Sequence, residues 1–257
     1  MCLAFLLATA LPALARDDGQ FNQRPSTQFT LLQDVDIDRY SGPRGSRAFE
    51  LTVLDILENA YDEVGEALSL RPRRRIEVYI YDPNIFDAEF SRLFGFRIAG
   101  VFNGTIHVRG DARIGAQLVQ TLYHEYVHAA LDWRSRGAYP AWLNEAIADD
   151  FGGLSVDKRH LNRAEFAFLE HIARQDVWIP LDNLATSSLV HLSGDRAAAA
   201  YLESYALVEV LVRKHGMRDL RSLVETIAKT RNVRRALRRT YRATLPELEA
   251  ELLKTLR

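Results

Sequence analysis

Two histidines four residues apart bracket a glutamate in the run His124-Glu125-Tyr126-Val127-His128. Four residues of helix turn through about 400°, so both imidazoles leave one face within a single turn. Two nitrogen donors can then reach one tetrahedral ion at roughly 2.0–2.1 Å each. Glu125 lies about 100° round the helix from His124, too far to bind that ion easily. Its carboxylate is well placed to take a proton from a water that the metal activates. Leu118 and Leu122 before the run, and Ala129, Ala130 and Leu131 after it, support the helix. The spacing alone is also what two ordinary histidines one turn apart would give, so the argument needs a further ligand.

Catalytic zinc takes three protein ligands and keeps a fourth position open. The stretch Pro140-Ala141-Trp142-Leu143-Asn144-Glu145-Ala146-Ile147-Ala148-Asp149 offers Glu145 on a second helix. An antiparallel helix pair turning at Gly137–Pro140 would bring Glu145 back over the two histidines. Asp149 follows one turn later on the same face. A ligating histidine usually gives its second N–H to a carboxylate or carbonyl, and Asp149 is assigned that task ahead of Asp150. One zinc ion per chain is the expected cofactor. An intact Glu125 favours catalysis over a purely binding or assembly role for such a site, because a structural zinc has no use for a base.

The elements that must position these residues can be read from periodicity. Phe29 to Val35 has strand character, and Ala48 to Leu68 carries apolar residues at helical spacing, among them Leu51, Leu54, Leu57, Tyr61 and Val64. Arg71-Pro72-Arg73-Arg74-Arg75 ends that helix with proline as the breaker; it reads as a solvated loop able to attract an anion. Ile76 to Tyr81 alternates as a strand, Asp82-Pro83-Asn84 turns into a short helix over 85–93, and Phe96 to Arg109 reads as a hairpin about Asn103-Gly104. From Ala112 onward the pattern is helical. Gly152-Gly153 is expected to close the second helix, with further helices over 160–175, 197–215, 217–229, 231–241 and 245–256. The fold class is thus α+β, with a small mixed sheet in the N-terminal half and an all-helical C-terminal half. The expected unit is 28–257, divided into 28–136 and 137–257 about a cleft.

Length and composition agree with this. The chain has 257 residues, 47% hydrophobic and 26% charged, enough to bury a proper core. A formal net charge of −1 gives no general attraction to nucleic acid or anionic membrane. Leu3 to Leu14 is too short an apolar run for a membrane span, and Ala13-Leu14-Ala15 fits the small-x-small pattern before signal cleavage. Residues 1–15 are therefore expected to be a signal peptide and 16–27 a polar, disordered lead-in, with export to the periplasm or outside the cell. The sole cysteine, Cys2, lies inside the expected signal, so a metal in the mature chain must be held by His, Asp or Glu. His107, His160, His171, His191 and His215 have no partner at ligand spacing. Arg234, Arg235, Arg238, Arg239 and Arg242 read as the wet face of a helix.

On His124-Glu125-Tyr126-Val127-His128 and Glu145, the chain resembles the gluzincin clan of metallopeptidases, most closely the small family called peptidase MA-like. Trp142-Leu143-Asn144-Glu145 is also similar to the third-ligand segment of the large zinc aminopeptidases. Ala146 stands where the family usually has glycine. The resemblance runs from about residue 45 to the C-terminus. It implies a thermolysin-like core, zinc held by His124, His128 and Glu145, Glu125 as general base, and a peptide or protein substrate. It further implies a tyrosine on a late helix that stabilises the oxyanion, best matched by Tyr201 with Tyr205 in reserve. It also implies an edge strand, here Ala99-Gly100-Val101, that pairs with the extended substrate.

Overall fold

A computed structural model describes residues 21–35, 45–90, 98–111, 113–175, 178–185, 189, 192 and 194–256. The expected signal segment 1–15 and His191 lie outside the described residues. Two parallel crossovers build the sheet. Strand β2 (Phe29–Gln33) leads through helix α1 (Gly45–Leu68) to β3 (Ile76–Tyr81), which runs parallel to it. Helix α2 (Pro83–Phe90) and a hairpin of β4 (Gly100–Phe102) and β5 (Ile106–Arg109) follow, with β5 parallel to β3. With β1 (Asn22–Pro25) at one edge, the order is β1-β2-β3-β5-β4, so the molecule is α+β with a five-stranded mixed sheet in its N-terminal half.

Strand β1 (Asn22–Pro25) corrects the expected disordered lead-in, because it pairs antiparallel with β2 along the sheet edge. Asn22, Gln23 and Arg24 are polar and the strand is mostly exposed, so no alternation of hydrophobicity announces it.

The alternation of β3 and β5 separates two faces. Ile76, Val78, Ile80, Ile106 and Val108 are buried toward the helices that follow, in one core that runs through both halves of the chain. On the opposite face Tyr81 packs with Phe86 and Phe90 of α2, and Tyr79 and Phe21 join them. Helix α1 buries Val53, Leu54, Leu57, Ala60, Val64 and Leu68, whereas Leu51, expected on that face, is 44% exposed.

Five residues of backbone turn α3 (Ala116–Ser135) into α4 (Ala141–Leu154). Arg136 closes α3 in the left-handed region (φ 33°) with its N–H on the Asp132 carbonyl, and Pro140 opens α4 from an extended backbone. Gly152-Gly153 does not stop α4, which runs on to Leu154. A Cβ at Gly152 would lie 3.1 Å from the Gln120 carbonyl oxygen, so this glycine lets α4 lie close against α3. Helices α5 (Arg163–Arg174), α6 (Gly194–His215), α7 (Met217–Thr230), α8 (Val233–Tyr241) and α9 (Leu245–Thr255) complete the C-terminal half. Arg221 of α7 donates to the Ala67 carbonyl at the end of α1 (2.7 Å), and Arg231 donates to Ser135 at the end of α3 (3.0 Å), so the halves are tied through helix termini. The arginines of α8 face outward, and no helix among the described residues is long and apolar enough to cross a membrane.

In the hairpin, Asn103 N–H donates to Thr105 C=O and Arg109 N–H to Ala99 C=O. By antiparallel alternation, Ala99, Val101 and Asn103 turn their backbone groups toward β5, and Gly100 and Phe102 turn theirs outward. Among the described residues nothing pairs with that outer edge.

Candidate metal centre

Helix α3 presents His124 and His128 from one face, their Nε2 atoms 3.0 Å apart. Glu145, one turn into α4, places Oε2 3.5 Å from each of those nitrogens. Tetrahedral coordination with bonds of roughly 2.0–2.1 Å requires ligand atoms about 3.3 Å apart, and the three separations bracket that value. His124, His128 and Glu145 can together hold one metal ion, as the sequence expected.

The other ring nitrogens explain why these face inward. His124 Nδ1 lies 3.0 Å from Asp149 Oδ1, and His128 Nδ1 lies 3.2 Å from Asn144 Oδ1. Each oxygen accepts a hydrogen bond from Nδ1–H, which in the neutral ring leaves the lone pair on Nε2. Two lone pairs and a carboxylate oxygen aimed at one point need a cation or a proton between them, so the donor set fits a metal. Asp149 was expected to orient a histidine. Asn144 was not, although two ligating histidines need two acceptors and it directly precedes Glu145.

Electrostatics follow from burial and proximity. Burial alone would lower the His124 pKa, but its hydrogen bond to Asp149 and the nearby Glu145 and Glu125 carboxylates raise it well above the usual value. His128 is likewise raised, with Glu145 outweighing burial. Burial pushes Glu145 up, and the charge and hydrogen bonds of both histidines more than reverse this, holding it well below the ordinary carboxylate range. The side chains of His124, His128 and Glu145 keep 20%, 11% and 17% exposure, so solvent reaches all three.

Glu125 belongs to a different stripe of α3. It is buried beneath Gly100 of β4, and its Oε2 has no hydrogen-bond partner. Burial raises its pKa, while the charges of His124 and His128 pull the other way. An unpartnered buried carboxylate is costly in a structure with no use for it.

The two tyrosines of α6 separate. Tyr201 is half-buried and its hydroxyl pKa is raised, by burial first and then by the charges of Glu145, Asp149 and Glu125. Tyr205 is also raised by burial, but the charges that follow are Asp150, Glu209 and Glu165 ahead of Asp149, and Lys158 sits over its ring. The carboxylates that act on Tyr201 are thus those around the triad, whereas Tyr205 answers chiefly to a second polar cluster. Asp150 belongs to that cluster; its pKa is pushed up to about 6 by burial and by Glu209.

Three of the remaining described histidines have partners elsewhere. His107 bonds Tyr81 and Asn103 and stacks on Tyr79, and burial lowers its pKa to about 4. His160 bonds Glu209, and His215 packs on Tyr241. Compared with protein-family models and with curated proteins, the chain matches none.

Proposed function

We propose that this chain is an exported, zinc-dependent peptidase of gluzincin type on a thermolysin-like core. The observation that carries the proposal is the convergence of His124 Nε2, His128 Nε2 and Glu145 Oε2 beside a buried glutamate, Glu125, that takes no part in it. The chemistry a zinc ion supplies when bound is polarisation of a carbonyl and a lowered pKa for water.

The chain's own residues supply the rest. Glu125 takes the proton of the attacking water and passes it to the leaving nitrogen, a role that its raised pKa suits. Asp149 and Asn144 hold the two imidazoles in the tautomer that turns Nε2 to the ion. Tyr201 donates its hydroxyl to the developing oxyanion. The outward backbone groups of Gly100 and Phe102 add the substrate as a further strand, so the substrate is an extended peptide or protein segment. Export rests on the Ala13-Leu14-Ala15 pattern.

A peptide-library digest read by mass spectrometry tests this activity, with Glu125→Gln run in parallel. Cleavage by the zinc-loaded parent and its loss in the variant are expected. A zinc-loaded parent that leaves the whole library intact would contradict it.

A further inference from the structure

Under β4, helix α3 presents a stripe of Thr121, Glu125 and Ala129, four residues apart. Gly100 sits over the first two, and Phe102 shares a pocket of about 200 Å³ with Ala129. From Glu125 to that pocket is one helical turn, about 6 Å along α3, and two residues of β4, about 6.6 Å. The pocket is walled by Arg74 and Arg75 from the loop before β3 and by Thr105 from the hairpin tip; Glu77 is the one carboxylate among its lining residues.

The loop is held at both ends. Tyr61 Oη donates to the Pro72 carbonyl (3.2 Å) and Ile76 N–H to the Gln28 carbonyl (2.8 Å). Arg71 turns back to Asp62 (3.0 Å), so the next arginines at the pocket are Arg74 and Arg75, both exposed. Arg74 also acts on Asp132 of α3, which Arg136 answers more strongly.

We propose that Arg74 and Arg75 form a specificity subsite that takes an acidic side chain of the substrate, two or three residues from the scissile bond. This rests on the peptidase reading and on β4 as the strand that holds the substrate. A peptide strand advances about 3.3 Å per residue. With the reacting bond beside Glu125, its second or third residue on the hairpin side lies level with the pocket along the strand axis. Two guanidiniums against Glu77 leave that pocket positive, and the Thr105 hydroxyl adds a neutral donor. Guanidinium pairs with carboxylate through parallel hydrogen bonds, which a lysine of the substrate cannot accept.

The test uses capped decapeptides that carry Glu, Ala or Lys at each of three positions on either side of the cut. Glu should exceed Lys on the order of tenfold in kcat/KM at one such position and on one side only. The preference should shrink in 0.5 M salt, where screening is short-ranged. The Arg74→Glu/Arg75→Glu double variant should invert it. Equal use of Glu and Lys by the parent, or a preference that survives the double variant, would overturn the subsite.

If the parent cuts no peptide, the peptidase reading has failed. The subsite is then judged by fluorescence anisotropy of labelled Glu and Lys peptides on Glu125→Gln, where equal binding overturns it.

Discussion

Gly100 and Glu125 contend for one volume: a Cβ at Gly100 would lie 2.6 Å from Glu125 Oε1 and 2.7 Å from its Cγ. The edge strand thus presses directly on the side chain assigned as base, and glycine is what leaves it room. Gly100→Ala should push the carboxylate aside without touching His124, His128 or Glu145. Misplacing a catalytic group by about 1 Å costs on the order of 10²-fold, so turnover should fall tenfold to a hundredfold with zinc content unchanged. Parent-like kinetics in this variant would show that the contact does not constrain Glu125.

Asn144 and Asp149 should matter to the metal without binding it. Substituting the outer partner of a ligating histidine typically weakens metal affinity about 10–100-fold. Asn144→Ala and Asp149→Ala should each do so in a competitive zinc titration. The former frees His128 and the latter His124, so the double variant should be weaker than either. Affinity equal to the parent's in both single variants would refute the orienting roles.

Tyr201→Phe removes one hydroxyl and keeps the ring. Loss of an oxyanion donor costs about 10²–10³ in turnover, and it should fall on kcat rather than KM. Tyr205→Phe should stay within a few-fold of the parent, because the charges that act most on that hydroxyl are Asp150 and Glu209, not Glu145. A large loss in Tyr205→Phe alone would move the role one turn along α6.

Much of this site was legible because it is local. His124, His128, Glu145 and Asp149 are each separated by one helical turn or one helix reversal, so spacing alone brings them together. Sorting Tyr201 from Tyr205 needs the rotation of α6 over α4, which no periodicity reports. Asn144 was missed because only one of the two histidines was given an acceptor. Gly152-Gly153 looked like a helix stop because the Gln120 carbonyl it packs against belongs to another helix. Strand β1 was hidden by its polarity, since its pairing rests on backbone bonds along one edge of β2.

Glu203 predicts a pH dependence of stability that is independent of the metal. It is fully buried on α6, accepts the Ile179 N–H (3.1 Å), and leaves Oε2 without a partner. Burial pushes its pKa up to about 8 from an ordinary 4.5. Between those values the unfolded chain has released a proton that the folded chain keeps, so stability falls as pH rises through that window and levels off above it. The total is on the order of a few kcal/mol. Glu203→Gln should flatten this part of the profile, seen as a urea midpoint that gains on the parent's from pH 5 to pH 8.5. Parallel profiles would contradict it.

The central claim is that ligand and base are different glutamates, one on each helix. Zinc content and peptide turnover measured side by side on the parent, Glu125→Gln and Glu145→Gln test it most directly. The parent should hold about one zinc per chain and hydrolyse peptide. Glu125→Gln should keep that zinc and lose nearly all turnover, whereas Glu145→Gln should bind zinc markedly more weakly, since a neutral amide replaces an anionic ligand. Zinc lost from Glu125→Gln and retained by Glu145→Gln, or a parent that binds none, would contradict the account.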